Sequence, residues 1–449
     1  MTVLSNLILD LFFLALLFEG AIRKWVAPGL SVEIQLFRDI LPVLALIIFR
    51  QQAHIRPQLG RFTGLPATLF WGYAGVAAFE MCSPSLPVFM VFVGIRTHFA
   101  YLPLAFLMPT YLKSWPHGLR KFRQLLLLAV PIFLLAFFQT TQPVESVWNQ
   151  YADPTMEVAT FGAVDLETVR TTGTFAYLAA FADFAGTCAI MTVFLMVANN
   201  SKILGQLLHA GILVMALGAI MASGSRGPAM VFGARVLGLA ALGYGVRAIA
   251  MRHLLAFVAL TLLAAAVSVT VFDRQATSFL LRAQAGDDVG YRVDEAFDEW
   301  LDVMAQYPLG VGLGAGHQAF YIAMAATDTP DLWEVELSRL AFELGVGVFL
   351  YLAFKVALIG QLVARMKAAR TRAGQVTHAT CTVILMPLLV RFSVYEPLPN
   401  AVFWAFVGIG FWIVKLEAAT LSAGPAAALV RKRTATAGRP DKVVEEGAR

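Results

Sequence analysis

Charge is what this sequence most conspicuously lacks. Only 14% of its 449 residues are Asp, Glu, Lys or Arg, where soluble domains carry roughly a quarter. That excludes a soluble enzyme, because no globule of this length has interior enough to hide a chain that is 59% apolar. It also excludes a disordered chain, which needs polarity and charge to stay solvated. Cysteine is nearly absent as well. The three present (Cys82, Cys188 and Cys381) are an odd number without metal-ligand spacing, so a disulfide scaffold is excluded and they read as packing residues. No repeat of 20–50 residues is visible. A cleavable leader is not expected either. The first apolar run, near residues 7–18, ends in Glu19 and Arg23-Lys24 instead of a small-residue cleavage site, and reads as a retained span.

What is present is a series of apolar segments, with a mean hydropathy of +0.71. Taking about 20 apolar residues per crossing, about twelve spans are expected, near 4–22, 34–50, 65–82, 87–112, 121–140, 174–198, 204–222, 228–246, 253–272, 337–363, 378–395 and 400–419. The expected fold is therefore an all-α polytopic membrane protein. Pro87, Arg96, His98 and Pro103 interrupt the fourth segment, which is expected to kink or break. Four regions follow: residues 1–272 with nine spans and a shorter loop near 141–173; a large acidic loop at 273–336; three spans at 337–420; and a polar tail at 421–449. The tail, with Arg431-Lys432-Arg433 followed by Gly, Pro and acids, reads as disordered and cytoplasmic.

The net charge of +5 does not call for nucleic acid in such a chain, since Lys and Arg are retained on the cytoplasmic side of membranes. Arg50, Lys113, Arg120, Lys121, Arg123, Arg365, Lys367, Arg370 and Arg372 all fall in connections of one parity, whereas the short connections of the other parity hold only Arg23, Lys24, Arg226 and Arg391. Both termini are therefore expected inside, and both long loops outside.

The larger loop holds twelve acidic residues against Arg274, Arg282 and Arg292. Within it Val293, Phe297, Trp300, Leu301 and Met304 recur at helical spacing, which predicts an amphipathic helix lying over the bundle or at the interface and stopped by Tyr307-Pro308. The following Gly310-Val-Gly-Leu-Gly314 is a turn permitting close backbone approach, without the strand–turn–helix setting of a nucleotide loop.

Outward arginines run against the positive-inside bias, and Arg170, Arg226 and Arg292 are the informative ones. Arg226 sits in a very short Ser223-Gly-Ser-Arg-Gly227 connection, where backbone and guanidinium can approach a ligand together, and the guanidinium fork suits diphosphate oxygens. Snorkelling to headgroups is the structural alternative for each arginine taken singly. Glu334 and Glu336 stand where the loop re-enters the membrane, and either can accept a proton from a sugar hydroxyl or simply start a helix; Glu336 is the stronger choice. His317 reads as a base or as a turn residue packing on the lid, and Trp300 and Tyr321 as rings on which sugars stack. Glu343 is expected to pair with Arg339 four residues earlier. The in-span Asp10, Arg38, Asp39, Glu80, Arg96, Asp183 and Lys355 must face protein or water, and the adjacent Arg38 and Asp39 are expected to find separate partners.

Four pieces in this order, Arg170-Thr-Thr-Gly-Thr-Phe175, Ser223-Gly-Ser-Arg-Gly227, Arg292…Trp300…Tyr307-Pro-Leu-Gly-Val-Gly-Leu-Gly314 and Phe342-Glu-Leu-Gly345, resemble the O-antigen ligase and repeat-unit polymerase family over about residues 165–365. The resemblance implies a metal-independent glycosyltransferase, without a cofactor, at the periplasmic face of the bacterial inner membrane. It implies undecaprenyl-diphosphate-linked glycans as substrates among membrane lipids, with a chain-length regulator and a repeat-unit flippase as partners. Arg226 and Arg292 match the family's diphosphate-side arginines, and Arg170 lies in a matching segment. Ligases of the family carry a histidine before the span holding the Glu-Leu-Gly stretch, whereas this chain reads Asp331-Leu-Trp-Glu-Val-Glu-Leu337 and places His317 too early. Together with Arg23-Lys-Trp25 and Arg38-Asp39, which resemble polymerase-type members, that departure favours polymerisation of an exopolysaccharide, capsule or O-antigen over ligation to lipid A–core. A transporter or flippase is the reading from another class, and it would place functional residues near the bilayer midplane.

Overall fold

The computed structural model of the chain describes residues 2–51, 62–84, 86–153, 156–161, 168–198, 203–246, isolated positions between 258 and 277, and residues 289–317, 336–389 and 394–422. The described residues are nearly all helical. In order they form α1 (Thr2–Ala21), extended by a wide turn over Ile22–Val26, then α2 (Ser31–Gln51), α3 (Leu65–Glu80), α4 (Val88–Phe99), α5 (Pro103–Tyr111), α6 (Trp115–Thr140) and α7 (Leu178–Ala198). There follow α8 (Ile203–Ala222), α9 (Arg226–Gly245), α10 (Val289–Gln306), α11 (Glu336–Leu344), α12 (Val348–Ala368), α13 (Arg372–Leu385) and α14 (Pro397–Ser422). Extended pairing among the described residues is confined to Thr160–Phe161 against Thr168–Val169, antiparallel, with Thr160 opposite Val169.

Eight segments among the described residues are long and apolar enough to cross a membrane: Val3–Val26, Val88–Tyr111, Trp115–Thr140, Leu178–Ala198, Ile203–Ala222, Gly227–Gly245, Glu336–Ala368 and Pro397–Leu421. The chain is a multi-pass, all-α membrane protein. The eight fall short of the twelve read from hydropathy for local reasons. Helix α2 carries Glu33, Arg38, Asp39 and Arg50; α3 has only 16 residues and α13 only 14, followed by a tight turn at Met386–Leu389. The 253–272 segment lies largely outside the described residues. The expected break in the fourth segment is present, with α4 ending at Phe99 and α5 opening on Pro103.

Helix α7 is the central element. Phe181, Ala185, Ala189, Val193 and Phe194 are all buried, and α8, α9 and α13 pack around it. Helix α14 lies along α5 and against α13, α1 lies on α2, and α12 lies between α3 and α13. The aromatic core is tied near one end by Trp115, whose ring stacks on Trp412 at 5.6 Å.

At about 1.5 Å per residue, the 26-residue α6 is about 39 Å long, enough to traverse a bilayer core. Its two ends therefore mark the two ends of the bundle. Near its start, Lys121 pairs with Asp10 of α1 at 2.7 Å; at its finish, the Gln139 amide accepts from Gly173 N at 2.8 Å and donates to Trp148 O at 2.6 Å. The first residues of α1 and the last of α14, where Glu417 accepts from the Thr371 hydroxyl at 2.8 Å, share the Trp115 end. That is the terminal end. The described residues of the 141–177 connection, the 307–317 turn and α10 share the opposite, loop end.

The predicted amphipathic helix forms as α10, and Tyr307-Pro308 ends it. Its Trp300, Val303 and Met304 pack with Ala315, Ala341 and Phe342, so it rests on α11 and on the glycine turn. That turn is threaded among the helices. Val311 N donates to Phe342 O (2.8 Å) and Leu313 N to Glu80 O (3.3 Å). Gly314 takes φ +101°, and a Cβ on Gly94 would stand only 2.7 Å from Gly314 N, so two backbones meet where neither residue can carry a side chain.

Candidate functional site at the loop end

At the loop end, charged side chains from distant parts of the chain converge on one cavity of about 530 Å³. Arg23 comes from the turn after α1, Arg38 from α2, Arg96 from α4 and Arg339 from α11; Glu19, Asp153 and Glu396 face them, with His317, Tyr177 and Tyr395 completing the wall. Four guanidinium groups around one space would repel each other unless anions intervene, and protein carboxylates do part of that work. Arg38 Nη1 bonds Glu19 at 2.6 Å and its Nε bonds Asp39 at 2.7 Å; Arg23 lies 3.5 Å from Glu19, and Arg96 3.6 Å from Asp39. Tyr101 donates to the same Asp39 carboxylate. Adjacent Arg38 and Asp39 thus bind each other as well as separate partners, a correction to the reading from their helical positions. The Nη2 of Arg38 has no hydrogen-bond partner among the described residues. A buried guanidinium donor left in that condition is a place for an acceptor. Arg23 also lies over the Tyr177 ring (6.0 Å) and Arg339 over the Tyr395 ring (5.7 Å), which fixes their planes.

Glu396 and His317, both on the wall, are perturbed. Burial, and then the Asp183 carboxylate, raise the Glu396 pKa from its ordinary value, with Arg339 opposing. Burial, then the nearby Arg96, lower His317 to about 4, so it is neutral at physiological pH. A carboxylic acid pushed toward neutrality and a neutral imidazole in one charged cleft are the groups expected where protons move.

The cavity does not end in polar wall. Leu16 and Leu398 belong both to it and to an apolar slot of about 120 Å³ that runs inward between α1, α5, α6, α7 and α14, past Phe13, Leu126, Phe184, Met191 and Phe406. A polar chamber at the end of the bundle thus shares two wall residues with an apolar one within it.

The residues singled out from sequence are distributed unevenly. Arg170 donates to Ser225 Oγ at 2.8 Å and to Ser223 O at 3.3 Å, so the first two family-like segments meet, though Arg170 does not line the cavity. Arg226 opens α9 and Arg292 lies in the first turn of α10; their side chains, like Glu334 and Tyr321 altogether, lie outside the described residues. Glu336 is buried away from the cavity wall, accepting from Val394 N at 3.1 Å and standing 3.8 Å from Lys355 Nζ. Trp300 packs its ring against Phe349 at 5.5 Å instead of facing the cavity. His317 does line the cavity. The Glu343 carboxylate, expected beside Arg339, is held by His98 Nε2 at 2.7 Å and Gly316 N at 3.0 Å, which leaves Arg339 at the cavity wall.

Sequence reasoning missed Glu396 and Arg339 as wall residues. The available signal was their position at the loop-end starts of α14 and α11, where a charge next to an apolar helix needs a polar neighbour. Among the described residues no three His, Cys, Asp or Glu side chains gather as metal ligands would. No family model matches the chain, and the search of curated proteins finds no match.

Proposed function

We propose that the protein polymerises oligosaccharide repeat units carried on undecaprenyl diphosphate, at the periplasmic face of a bacterial inner membrane. The observation that carries this reading is the arginine-lined cavity that shares its wall with an apolar slot. A lipid-linked diphosphate has the same division: a strongly anionic group next to a hydrocarbon chain. The basic residues at the terminal end support a cytoplasmic position for both termini, which needs an even number of crossings: the eight apolar segments, α2, α3, α13 and the 253–272 segment expected from hydropathy.

In this reading the donor diphosphate lies against Arg38, Arg96 and Arg339, with Arg226 and Arg292 contributing as the resemblance implies, and the first prenyl units enter the slot beside Leu16 and Leu398. A hydroxyl of the acceptor glycan attacks the anomeric carbon of the donor sugar. The new glycosidic C–O bond forms as the bond to the diphosphate oxygen breaks, and the lipid diphosphate leaves with that electron pair. The arginines favour the step because charge grows on the leaving oxygen. The hydroxyl proton goes to a carboxylate, for which Glu396 on the cavity wall is preferred to the buried Glu336.

The test is purified protein in liposomes with lipid-linked repeats and no nucleotide sugar. Polymer longer than one repeat, accompanied by release of free lipid diphosphate, is the expected result. No polymer, with solute carried across the same liposomes, would overturn the reading in favour of a transporter.

A further inference from the structure

A second cavity, of about 550 Å³, lies at the terminal end between the first turns of α6 and α13 and the last turn of α7. It is not part of the site described above, since α6 separates the two by most of its length. Arg120, Arg123 and Arg372 line it, beside the apolar Trp115, Leu119 and Val376, and no Asp or Glu is among its lining residues. The acids on neighbouring helices are engaged elsewhere: Glu417 of α14 accepts from the Thr371 hydroxyl at 2.8 Å, and Asp10 of α1 pairs with Lys121 at 2.7 Å. Two helices begin here, so their positive dipole ends add to the three guanidinium charges. Thr371 caps α13 by accepting from Gly374 N at 2.9 Å, whereas Ser114 makes no side-chain bond to the first turn of α6. Charge of one sign, two helix starts and a volume within the roughly 300–1,000 Å³ of ordinary ligand sites together describe an anion site.

The lining also says which anion. Trp115 at the start of α6 is the residue type that sits at headgroup level, and basic pockets between spans at the cytoplasmic side of a membrane take acidic lipid heads. Beneath it, the gap lined by Phe122, Phe194 and Thr377 holds only about 10 Å³, about the least that admits one water. That gap has no room for a hydrocarbon chain, so the tails of an occupant stay in the bilayer. We propose that this cavity binds the phosphate headgroup of an acidic phospholipid, with Arg120, Arg123 and Arg372 as its ligands. The proposal does not depend on glycosyl transfer.

The experiment uses the full chain in nanodiscs of phosphatidylcholine with one-fifth phosphatidylglycerol, extracted into detergent, with phosphatidylglycerol retained per chain read by native mass spectrometry. R120Q/R123Q/R372Q is expected to lower retention by at least about tenfold. R50Q/K367Q/R370Q removes the same charge from exposed positions at the same end, outside the cavity, and is expected to stay within about twofold. Equal losses in the two triple variants would overturn the site in favour of diffuse attraction. Arg120 is exposed, so Arg120→Gln alone tests the proposal even where the triple variant misfolds; a loss of about threefold is expected, and unchanged retention overturns it. Inorganic phosphate separates the sources. Complete displacement of the lipid by about 10 mM phosphate would make this a soluble-anion site, and persistence of the bound lipid supports the headgroup.

Discussion

Both ends of the bundle gather arginines, but only at the loop end do carboxylates line the same cavity among the described residues. There Arg38 is shared between Glu19 and Asp39 at 2.6 and 2.7 Å, and Glu396 lies on the same wall. At the terminal end Arg120, Arg123 and Arg372 surround a cavity without a lining acid. The first arrangement holds each guanidinium plane in place before a ligand arrives, and supplies a proton acceptor beside it. The second offers charge alone. Chemistry on an anion needs fixed donors and a base, whereas holding an anion needs only the field. The same residue type thus takes different work at the two ends because of its neighbours.

The comparison is sharpest at the base. Glu396→Gln is expected to lower the polymerisation rate about 10²–10⁴-fold, while Glu336→Gln stays within about tenfold at matched protein level. The reverse ranking would return the base to the carboxylate favoured by sequence alone. Next come the guanidinium forks. Arg339→Lys and Arg226→Lys keep the charge but lose two-pronged geometry, and each is expected to cost roughly 30- to 1000-fold in rate with membrane insertion unchanged. Wild-type rates in both would remove the distinction between fixed and merely positive ends. In the slot, Ala401→Leu is expected to raise KM for the long-chain donor by about tenfold and to leave kcat for a short-chain analogue unaltered, as measured in detergent. The smallest activity effect belongs to the terminal end, where R120Q/R123Q/R372Q should change polymer yield by less than about threefold in phosphatidylcholine alone.

A pH experiment addresses the loop end independently of catalysis. His317 falls from 6.5 to about 4 on folding, so between those values the unfolded chain binds more protons than the folded one. Its contribution is therefore complete above pH 6.5 and is lost as the pH falls toward 4. In thermal melts across that window, His317→Gln should flatten the acid loss of stability by on the order of 1–3 kcal/mol. An unchanged slope would mean that His317 is solvated in the native protein.

Legibility in the sequence followed the range of the interaction. Local patterns carried well: the spacing of Trp300, Leu301 and Met304 gave α10, Tyr307-Pro308 gave its stop, Pro103 gave the break before α5, and the alternating glycines gave a turn of close approach. Arg170 and the Ser223–Gly227 connection, grouped by their order alone, do meet. The cavity itself was not legible. Arg23, Arg38, Arg96, Arg339 and Glu396 are separated by as much as most of the chain, and no periodicity encodes which helix ends become neighbours. Among the described residues α2, α3 and α13 fall outside the eight long apolar segments, because hydropathy runs α3 and α13 past their ends and does not weigh the ion pairs inside α2.

The meeting of Gly94 with Gly314 fixes an order of events during synthesis. The turn closes on backbone that was made about 220 residues earlier, an interval of roughly 10–45 s at 5–20 residues per second. Throughout it, Glu80 O has no Leu313 N to accept from, and His98 waits for Glu343. The early helices must therefore be held in the membrane, with these particular bonds unmade, until the last third of the chain arrives to complete them. Truncation anywhere before residue 343 leaves that debt open, which makes the unfinished chain a natural substrate for membrane quality control.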